Sequence, residues 1–451
     1  MTAGANHRID RSMTITHETS EAAEITIDRG KGFRAGIADY VTTLKLFSRN
    51  IRLYLIGSFL MGINFQVFQL LLNLYLKELG FPESEIGLVG SARAVGMTTI
   101  AIPAAILLSR IRLKPILIVS ITLFAILSVG VVTSDMLELI IGFAILSGMA
   151  FSFYRVAGGP FFMRNSGKKE RTHVFSFSFG VMILAGMVGS LGAGNLAAFL
   201  GEQSGDILLG YRYTLYSGIL ISLLALVPFM LIKSAKPSPE ERSLSLSREQ
   251  FKLRGGFYFK IGFVNFLVGM GAGLVIPFLN LYFQDRFNQP ANSIGMFYFL
   301  VQCAMLVGSL SGPILARRFG LVRTIVITQL ASIPFLLILS YTYVLPLAVS
   351  AFVIRGGLMN LGGPIVVNLG MELSDKKEQG LVNALIMVAW TSSWMVSSAV
   401  GGTLIEQYGY TFTMNITIIL YVVSSLIFYL FFRDVEIRSS TKQWTIHRSS
   451  A

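Results

Sequence analysis

Three arginines lie inside long apolar stretches of this chain: Arg93, Arg155 and Arg355. A charged side chain in hydrocarbon is costly, so each is expected to face the protein interior or a water-filled cavity. No Asp or Glu lies deep in these stretches, because the acids cluster at their ends. Two interpretations stay open. The arginines either bond helix-end carbonyls and phenols or snorkel to the surface, or they hold an anionic group by parallel hydrogen bonds.

Amide and small polar side chains form stripes on the same stretches. Gln66, Gln69 and Asn73 follow Gly62 at spacings of 4, 3 and 4 residues, which places them on one helical face. Hydrogen bonding between helices and the lining of a cavity both explain such a stripe. The candidate solute-binding residues are Gln66, Gln69, Asn73, Arg93, Ser152, Arg155, Asn265, Asn280, Arg355, Asn360 and Trp390.

The composition indicates which environment must position these side chains. Of 451 residues, 53% are hydrophobic and only 14% are charged, whereas a soluble domain carries about a quarter charged residues. Apolar runs of about 20 residues can cross the hydrocarbon core. The sequence therefore predicts an all-α polytopic membrane protein with twelve spans, near 52–77, 86–108, 115–133, 138–163, 173–200, 213–232, 257–284, 293–316, 323–342, 346–371, 381–404 and 411–432.

The second set of six spans repeats short sequences of the first set. Asn73-Leu74-Tyr75 recurs 207 residues later as Asn280-Leu281-Tyr282, and Gly158-Gly159-Pro160 recurs 204 residues later as Gly362-Gly363-Pro364. Echoes at nearly one spacing indicate a duplicated half joined by a flexible connector. We predict a polar tail, a six-helix bundle, a linker, a second pseudo-symmetric six-helix bundle and a second tail, at 1–50, 51–233, 234–256, 257–433 and 434–451.

The distribution of charge predicts orientation. The formal net charge is +13, and alternate loops hold 18 Lys and Arg, whereas the other loops hold only Lys77, Arg212 and Arg286. This bias predicts that both termini are cytoplasmic. Anionic lipid headgroups are a secondary partner, and nucleic acid is not expected. The first apolar run begins near Leu53, behind a polar tail, so we expect it to be retained as a span. Residues 37–47 are expected to form a short surface helix.

Residue types needed for most enzyme chemistry are scarce. Cys303 is the only cysteine, and of four histidines only His173 lies near a span. We therefore expect no disulfide, no metal, no cofactor and no Ser-His catalysis. A membrane-embedded lipid transferase would need acids or histidines near the membrane face, so an enzyme is not expected. The sequence also has no phosphate-binding loop, which leaves solute or ion gradients as the energy source.

Three local signatures resemble the major facilitator superfamily. The loop from Gly312 to Gly320, followed by Arg323, is similar to the family's G-x-x-x-(A)-D-R-x-G-R-R loop, with Arg317 at the acidic position. Its counterpart in the first half begins at Ser109-Arg110. In the fifth span, the run from Ala185 to Gly194 resembles the glycine-proline motif of family exporters, and Asn73 to Gly87 resembles drug-efflux and related permeases. The candidate gate-loop residues are Arg110, Gly312, Arg317, Arg318, Gly320 and Arg323.

The resemblance implies a twelve-helix transporter of the plasma membrane that moves a solute by alternating access. The expected solute is a small amphiphilic or anionic organic molecule, because embedded arginines without embedded acids suit a cation poorly. Export is favoured slightly over uptake, and a coupling ion is left open. Proton-coupled exporters of the family carry an arginine where this chain has Ala144, so no proton site is assigned. A lipid scramblase or a transport-dead sensor on the same scaffold remains an alternative.

Overall fold

A computed structural model describes residues 47–167, 170–233, 248–374 and 379–449 of the chain. Within these ranges the secondary structure is helical and contains no strand, which confirms the predicted all-α class. Helices dominate because a chain in hydrocarbon must satisfy its backbone hydrogen bonds internally. The predicted surface helix at 37–47 lies outside the described residues, apart from Phe47. From Phe47 onward the chain forms one compact unit.

The first half contains six spans whose ends follow local capping chemistry. The Asp206 side chain accepts a hydrogen bond from the Leu208 backbone at 2.8 Å, so the sixth span begins at Ile207, six residues earlier than predicted. Gly205 ends the preceding helix with a φ of 67°, which glycine adopts without strain. The helices are α1 (Arg49–Glu78), α2 (Glu83–Arg110), α3 (Leu113–Thr133), α4 (Leu137–Asn165), α5 (Arg171–Ser204) and α6 (Ile207–Leu231).

The second half repeats this order, with a break in its first span. α7 begins at Arg248, inside the stretch predicted as linker, and runs as Arg248–Val275. A short 3₁₀ turn, Ile276–Phe278, then leads into Leu279–Phe287. Pro277 lacks a backbone N–H and so interrupts the regular helix. The next helices are α8 (Ala291–Phe319), α9 (Leu321–Tyr341) and α10 (Leu345–Glu372).

The last two spans lie in one continuous helical stretch, Gln379–Ser449. Its apolar part, Leu381–Arg433, is 53 residues long, which is enough for two crossings of the bilayer. Gly409 divides it with a φ of 79°, so we number 379–408 as α11 and 410–449 as α12. Of the described residues, eleven segments are long and apolar enough to span a membrane. Because the last segment contains two spans, the prediction of twelve is confirmed.

The two halves are built alike. The Tyr75 hydroxyl donates to the Val132 carbonyl at 2.7 Å, and the Tyr282 hydroxyl donates to the Leu339 carbonyl at 2.6 Å. Both members of the second pair lie 207 residues after their counterparts. Within the first half α2 packs on α4 and α1 packs on α5 and α6, while α8 packs on α10 in the second half. The repeat in the sequence is therefore a pseudo-twofold relation between two six-helix bundles.

Candidate solute-binding cleft

The halves are joined at the end of the bundle where α1 ends at Glu78 and α2 begins at Glu83, here called the sealed end. The opposite end, near Arg110 and Arg164, is called the basic end. Among the residues that the structure describes, every hydrogen bond between the halves lies between the sealed end and the level of Gln66. The hydrogen bonds that hold the halves together are therefore confined to the half of the bundle nearer the sealed end.

Two asparagines bond the halves reciprocally. The Asn73 side chain donates to the Pro277 carbonyl at 2.7 Å, and the Asn280 side chain donates to the Leu70 carbonyl at 2.8 Å. Each donor and each acceptor is 207 residues from its counterpart. In a regular α-helix the Leu281 N–H would donate to the Pro277 carbonyl four residues earlier. Here it donates to the Asn280 side chain at 3.0 Å, so the Pro277 carbonyl is free to accept from Asn73.

Glycines let the halves approach at two equivalent crossings. A Cβ added to Gly87 of α2 would lie 2.5 Å from the Ser398 carbonyl of α11. A Cβ added to Gly295 of α8 would lie 2.6 Å from the Ser190 carbonyl of α5. Gly87 and Gly295 are 208 residues apart in the sequence, and so are their partners Ser190 and Ser398. Because only glycine fits at such separations, backbone contact is the means by which the sealed end closes.

Charged groups cover the outer edge of the sealed end. Lys77 forms an ion pair with Glu83. Glu406 of the other half accepts a hydrogen bond from the Ser84 backbone at 3.1 Å, and Gln284 donates to Glu78 at 3.1 Å. These polar contacts complete the closure above the asparagine pair.

An amide pair forms the floor below the seal. Gln302 of α8 donates to the Gln66 side chain at 3.3 Å, and the same Gln302 side chain covers Gly186 of α5. Among the described side chains, this is the hydrogen bond between the halves that lies nearest to the basic end. Beyond this level, toward the basic end, no hydrogen bond joins the halves among the described residues.

Arg155 lies just beyond this floor. Phe65 of α1 stacks on Phe151 of α4 with ring centroids 5.7 Å apart. Because Gln66 follows Phe65 directly, Gln66 and Phe151 lie at about the same depth in the bundle. Arg155 follows one turn later, about 6 Å nearer the basic end at 1.5 Å per residue. Arg155 lies well inside the length of α4, ten residues before its end at Asn165, and it is exposed. No described residue forms a hydrogen bond or an ion pair with it, so its guanidinium is left without a partner among them.

Arg93 has a different environment, inside the first bundle. Its guanidinium lies over the rings of Phe65, Phe124 and Phe151, at 5.6, 6.0 and 5.6 Å from their centroids. Such contacts stabilise a desolvated cation. Nη2 is buried without a hydrogen-bond partner among the described residues. Aromatic rings from α1, α3 and α4 therefore surround this cation, where a buried arginine would usually be paired with a carboxylate.

Arg355 is covered by the second bundle. Only 3% of its surface is exposed, and Nη2 donates to the Tyr421 hydroxyl of α12 at 2.8 Å. The guanidinium also lies 5.7 Å from the centroid of that ring. The arrangement matches the structural interpretation of an embedded arginine that bonds a phenol, so we leave Arg355 out of the proposed site.

The remaining polar candidates mostly satisfy nearby backbone. Ser152 is buried and donates to the Met97 carbonyl of α2 at 3.0 Å. Asn265 and Asn360 donate to carbonyls one turn earlier in their own helices, at 2.7 and 2.9 Å. Gln69 is half-buried on α1. The structure thus brings Gln66 and Arg155 to the floor, while Ser152, from the same predicted stripe as Arg155, joins α4 to α2.

Two tryptophans lie on α11 beside α7. Trp390 and Trp394 have ring centroids 6.3 Å apart. A Cβ added to Gly269 would lie 3.4 Å from the Trp390 ring, and one added to Gly273 would lie 3.5 Å from the Trp394 backbone. The indole N–H of Trp394 is buried and has no acceptor in the part of the chain that the structure describes.

The candidate gate-loop residues lie at the basic end. Arg110, Arg317, Arg318 and Arg323 are exposed there. Gly320 has a φ of 85° and separates α8 from α9. Gly312 lies earlier in α8 and is buried, and a Cβ added there would lie 3.3 Å from the Leu361 carbonyl. These positions fit a basic surface rather than the cleft itself.

Sequence reasoning missed two residues of this region. Arg164 donates to the Leu108 and Ile111 carbonyls at 2.8 and 3.4 Å, which caps the end of α2 where a cation is favoured. Gln302 was also missed, although an amide within the apolar run of α8 was a usable signal. Among the described residues, no cluster of His, Cys, Asp and Glu is suited to hold a metal ion.

Comparison with known proteins reveals the relatives of this architecture. The nucleoside transporter NupG, in a point-mutant form, superposes with a TM-score of 0.69 at 15% identity, over 85% of this chain and 100% of that one. A bacterial homologue of the human lysosomal transporter Spinster, inward-facing and unoccupied, gives 0.69 at 14% identity, over 84% and 96%. A D-xylose-proton symporter gives 0.69 at 15% identity, over 86% and 97%.

At such low identities these similarities establish the fold alone. Comparison with curated sequences gives no significant match. The model of the Major Facilitator Superfamily, in contrast, matches this sequence twice, over residues 54–260 and 261–447. The two matches together cover most of the chain. This protein therefore belongs to the Major Facilitator Superfamily.

Proposed function

We propose that this protein is a secondary transporter that carries a small amphiphilic or anionic organic solute by alternating access. The observation that carries the proposal is Arg155, an exposed cation without a partner among the described residues, embedded beside the contact between the halves. An unpaired charge at this depth is costly unless a ligand or water compensates it. An anionic group of the solute would satisfy it during transport.

The sealed end supports alternating access. Backbone contacts at Gly87 and Gly295 and the reciprocal asparagine bonds are related by pseudo-twofold symmetry. Rocking one bundle against the other would break them together and open the cleft at that end. By the positive-inside rule the basic end faces the cytoplasm, so the structure would represent a state open to the cytoplasm.

The membrane and the direction of transport are part of the proposal. We infer a plasma-membrane location, and we favour export over uptake because the run from Ala185 to Gly194 on α5 resembles the family's exporter motif. The relatives named above include a nucleoside transporter and a sugar symporter. Their fold is compatible with different solutes, so the chemistry of the cleft has to indicate the solute for this chain.

Flux through purified protein tests the proposal. Proteoliposomes would be loaded in turn with labelled small carboxylates, amines and neutral solutes, and flux would be followed under imposed solute and ion gradients. We expect gradient-driven flux of a carboxylate, abolished by Arg155→Gln and kept by Arg52→Gln, which removes an exposed arginine at the basic end. Redistribution of a fluorescent lipid without any solute flux would indicate a scramblase instead and would overturn the proposal.

A further inference from the structure

Helix α2 provides a common scale of depth for Arg155 and the tryptophans. Gly90 of α2 lies against Ser398 of α11, since an added Cβ would be 2.8 Å from its hydroxyl. Seven residues further along α2, the Met97 carbonyl accepts from Ser152 of α4 at 3.0 Å. Seven residues correspond to about 10 Å of helix. Helix α11 runs in the opposite direction, so seven residues from Ser398 toward the basic end lead back to Thr391. Thr391 of α11 and Ser152 of α4 therefore lie at similar depth.

Arg155 and Trp390 then lie at nearly the same depth. Arg155 is three residues beyond Ser152, and Trp390 is one residue beyond Thr391, both toward the basic end. At 1.5 Å per residue the two differ by about 3 Å along the bundle axis. Arg155 belongs to the first half and Trp390 to the second, so each half contributes one of these two residues at nearly one depth.

The tryptophans project toward the interior. On α11, Ser398 and Gly402 face α2, whereas Ser393 and Ser397 face α7. At 100° per residue, Trp390 and Trp394 fall between these two faces. The far side of α11 is exposed at Val396 and Val400, where 42% of each residue is accessible. The indole rings therefore belong to the side of α11 that is enclosed by α2 and α7.

Two polar groups near this depth that lack a partner are donors. The guanidinium of Arg155 has no partner among the described residues, and the Trp394 indole N–H is buried without an acceptor. The acids of the described spans lie at helix ends, as Glu78, Glu138 and Glu372 illustrate. A cationic solute would find no counter-charge at this depth, and a neutral solute would leave the guanidinium unpaired. A solute with a negative charge satisfies the donors.

We propose that the cleft binds an aromatic organic anion, with its acidic group on Arg155 and its ring against Trp390. This assignment rests on the proposed transport function and defines the class of solute. A guanidinium can hold a carboxylate through two parallel hydrogen bonds, and an indole offers a flat apolar face to a ring. The two halves would contribute different chemistry to one solute, which couples its binding to their relative position.

Binding to a matched set of small probes tests the assignment. Benzoate, benzamide and benzylamine share one ring and differ in charge, and cyclohexanecarboxylate keeps the charge without the aromatic ring. Binding to the purified full-length chain would be measured by calorimetry and by quenching of tryptophan emission, in a Trp444→Phe background that leaves only Trp390 and Trp394. We expect benzoate to bind at least tenfold more tightly than benzamide or benzylamine, and several-fold more tightly than cyclohexanecarboxylate.

Two substitutions separate the contributions. Arg155→Gln should abolish the preference for benzoate over benzamide, and Trp390→Leu should abolish the preference for benzoate over cyclohexanecarboxylate. Arg52→Gln, which removes an exposed arginine at the basic end, is the matched control and should change neither preference. Thermal melting of each variant monitors folding. Equal binding of benzoate and benzamide, a preference that survives Arg155→Gln, or no saturable benzoate binding would overturn the assignment.

The binding experiment can fail while the transport proposal holds, and the reverse is also possible. Selective benzoate binding without flux under any gradient would keep the assignment and contradict transport. Flux of neutral or cationic solutes that is unaffected by Arg155→Gln would keep transport and contradict the assignment.

Discussion

Asn73 and Asn280 occupy equivalent positions in the two halves, and each donates its side-chain amide to a backbone carbonyl of the other half. The two bonds are 2.7 and 2.8 Å long, and their acceptors, Pro277 and Leu70, are equivalent as well. One pseudo-twofold axis therefore relates both the bundles and the contacts that hold them together.

Asn280→Ala should weaken the sealed end more than Asn73→Ala. Asn280 is completely buried, whereas Asn73 is half-buried, and a buried hydrogen bond contributes about 1 kcal/mol, with a larger cost when a partner is left unsatisfied. Hydrogen–deuterium exchange in peptides spanning Glu78 to Glu83 should accelerate. The control is Asn195→Ala, because Asn195 is exposed and bonds only its own helix at Leu191. Equal exchange in all three variants would contradict a sealing role.

Gly87→Ala and Gly295→Ala should both lower the melting temperature of the protein. The new Cβ atoms would lie 2.5 and 2.6 Å from the facing carbonyl oxygens of Ser398 and Ser190. Overpacking of this kind typically lowers the stability by about 1–3 kcal/mol. Gly192→Ala on α5 is the matched control, because nothing lies within 4 Å of its added Cβ. Similar melting temperatures for Gly192→Ala and Gly87→Ala would show that the crossings do not depend on glycine.

Tyr421→Phe should destabilise the protein without changing which solute it selects. The substitution removes the hydroxyl that accepts from Arg355 and leaves a buried cation uncompensated. Hydrogen bonds to charged groups contribute about 1.5–3 kcal/mol. Thermal melting measures the loss, and flux per folded molecule measures function. Normal stability combined with altered solute preference would place Arg355 in the binding site after all.

Arg93→Met should leave stability unchanged or raise it. The guanidinium has a buried Nη2 without a partner among the described residues, so its desolvation is not compensated by a hydrogen bond at that atom. Its three phenylalanine neighbours would pack against the thioether. A clear drop in melting temperature would show that the cation–π contacts outweigh the cost of desolvation.

Hydrophobicity and duplication made the architecture predictable. The twelve spans follow from apolar runs, and the Asn73 and Asn280 echo revealed the repeat. That each asparagine bonds the opposite half was not predictable, because the contact depends on how two separate bundles meet. The start of α7 at Arg248 was also missed, since the polar composition of its first turns indicated a linker.

The site was predictable only in part. Ser152 and Arg155 lie in one polar stripe, but they differ by about 60° around the helix. That difference turns Ser152 onto α2 and leaves Arg155 exposed. Likewise, the three embedded arginines look alike in the sequence. Tertiary neighbours alone distinguish the exposed Arg155 from Arg93 among its rings and Arg355 against Tyr421.

Spin-label distances across both ends of the bundle test the central claim of alternating access most directly. One pair at Met136 and Gln407 would report on the sealed end, and a second pair at Ile111 and Phe319 would report on the basic end; all four residues are exposed. In proteoliposomes with a transported solute, alternating access predicts a population in which the distance across the sealed end lengthens while the distance across the basic end shortens. Two distances that stay fixed, or that lengthen together, would contradict it.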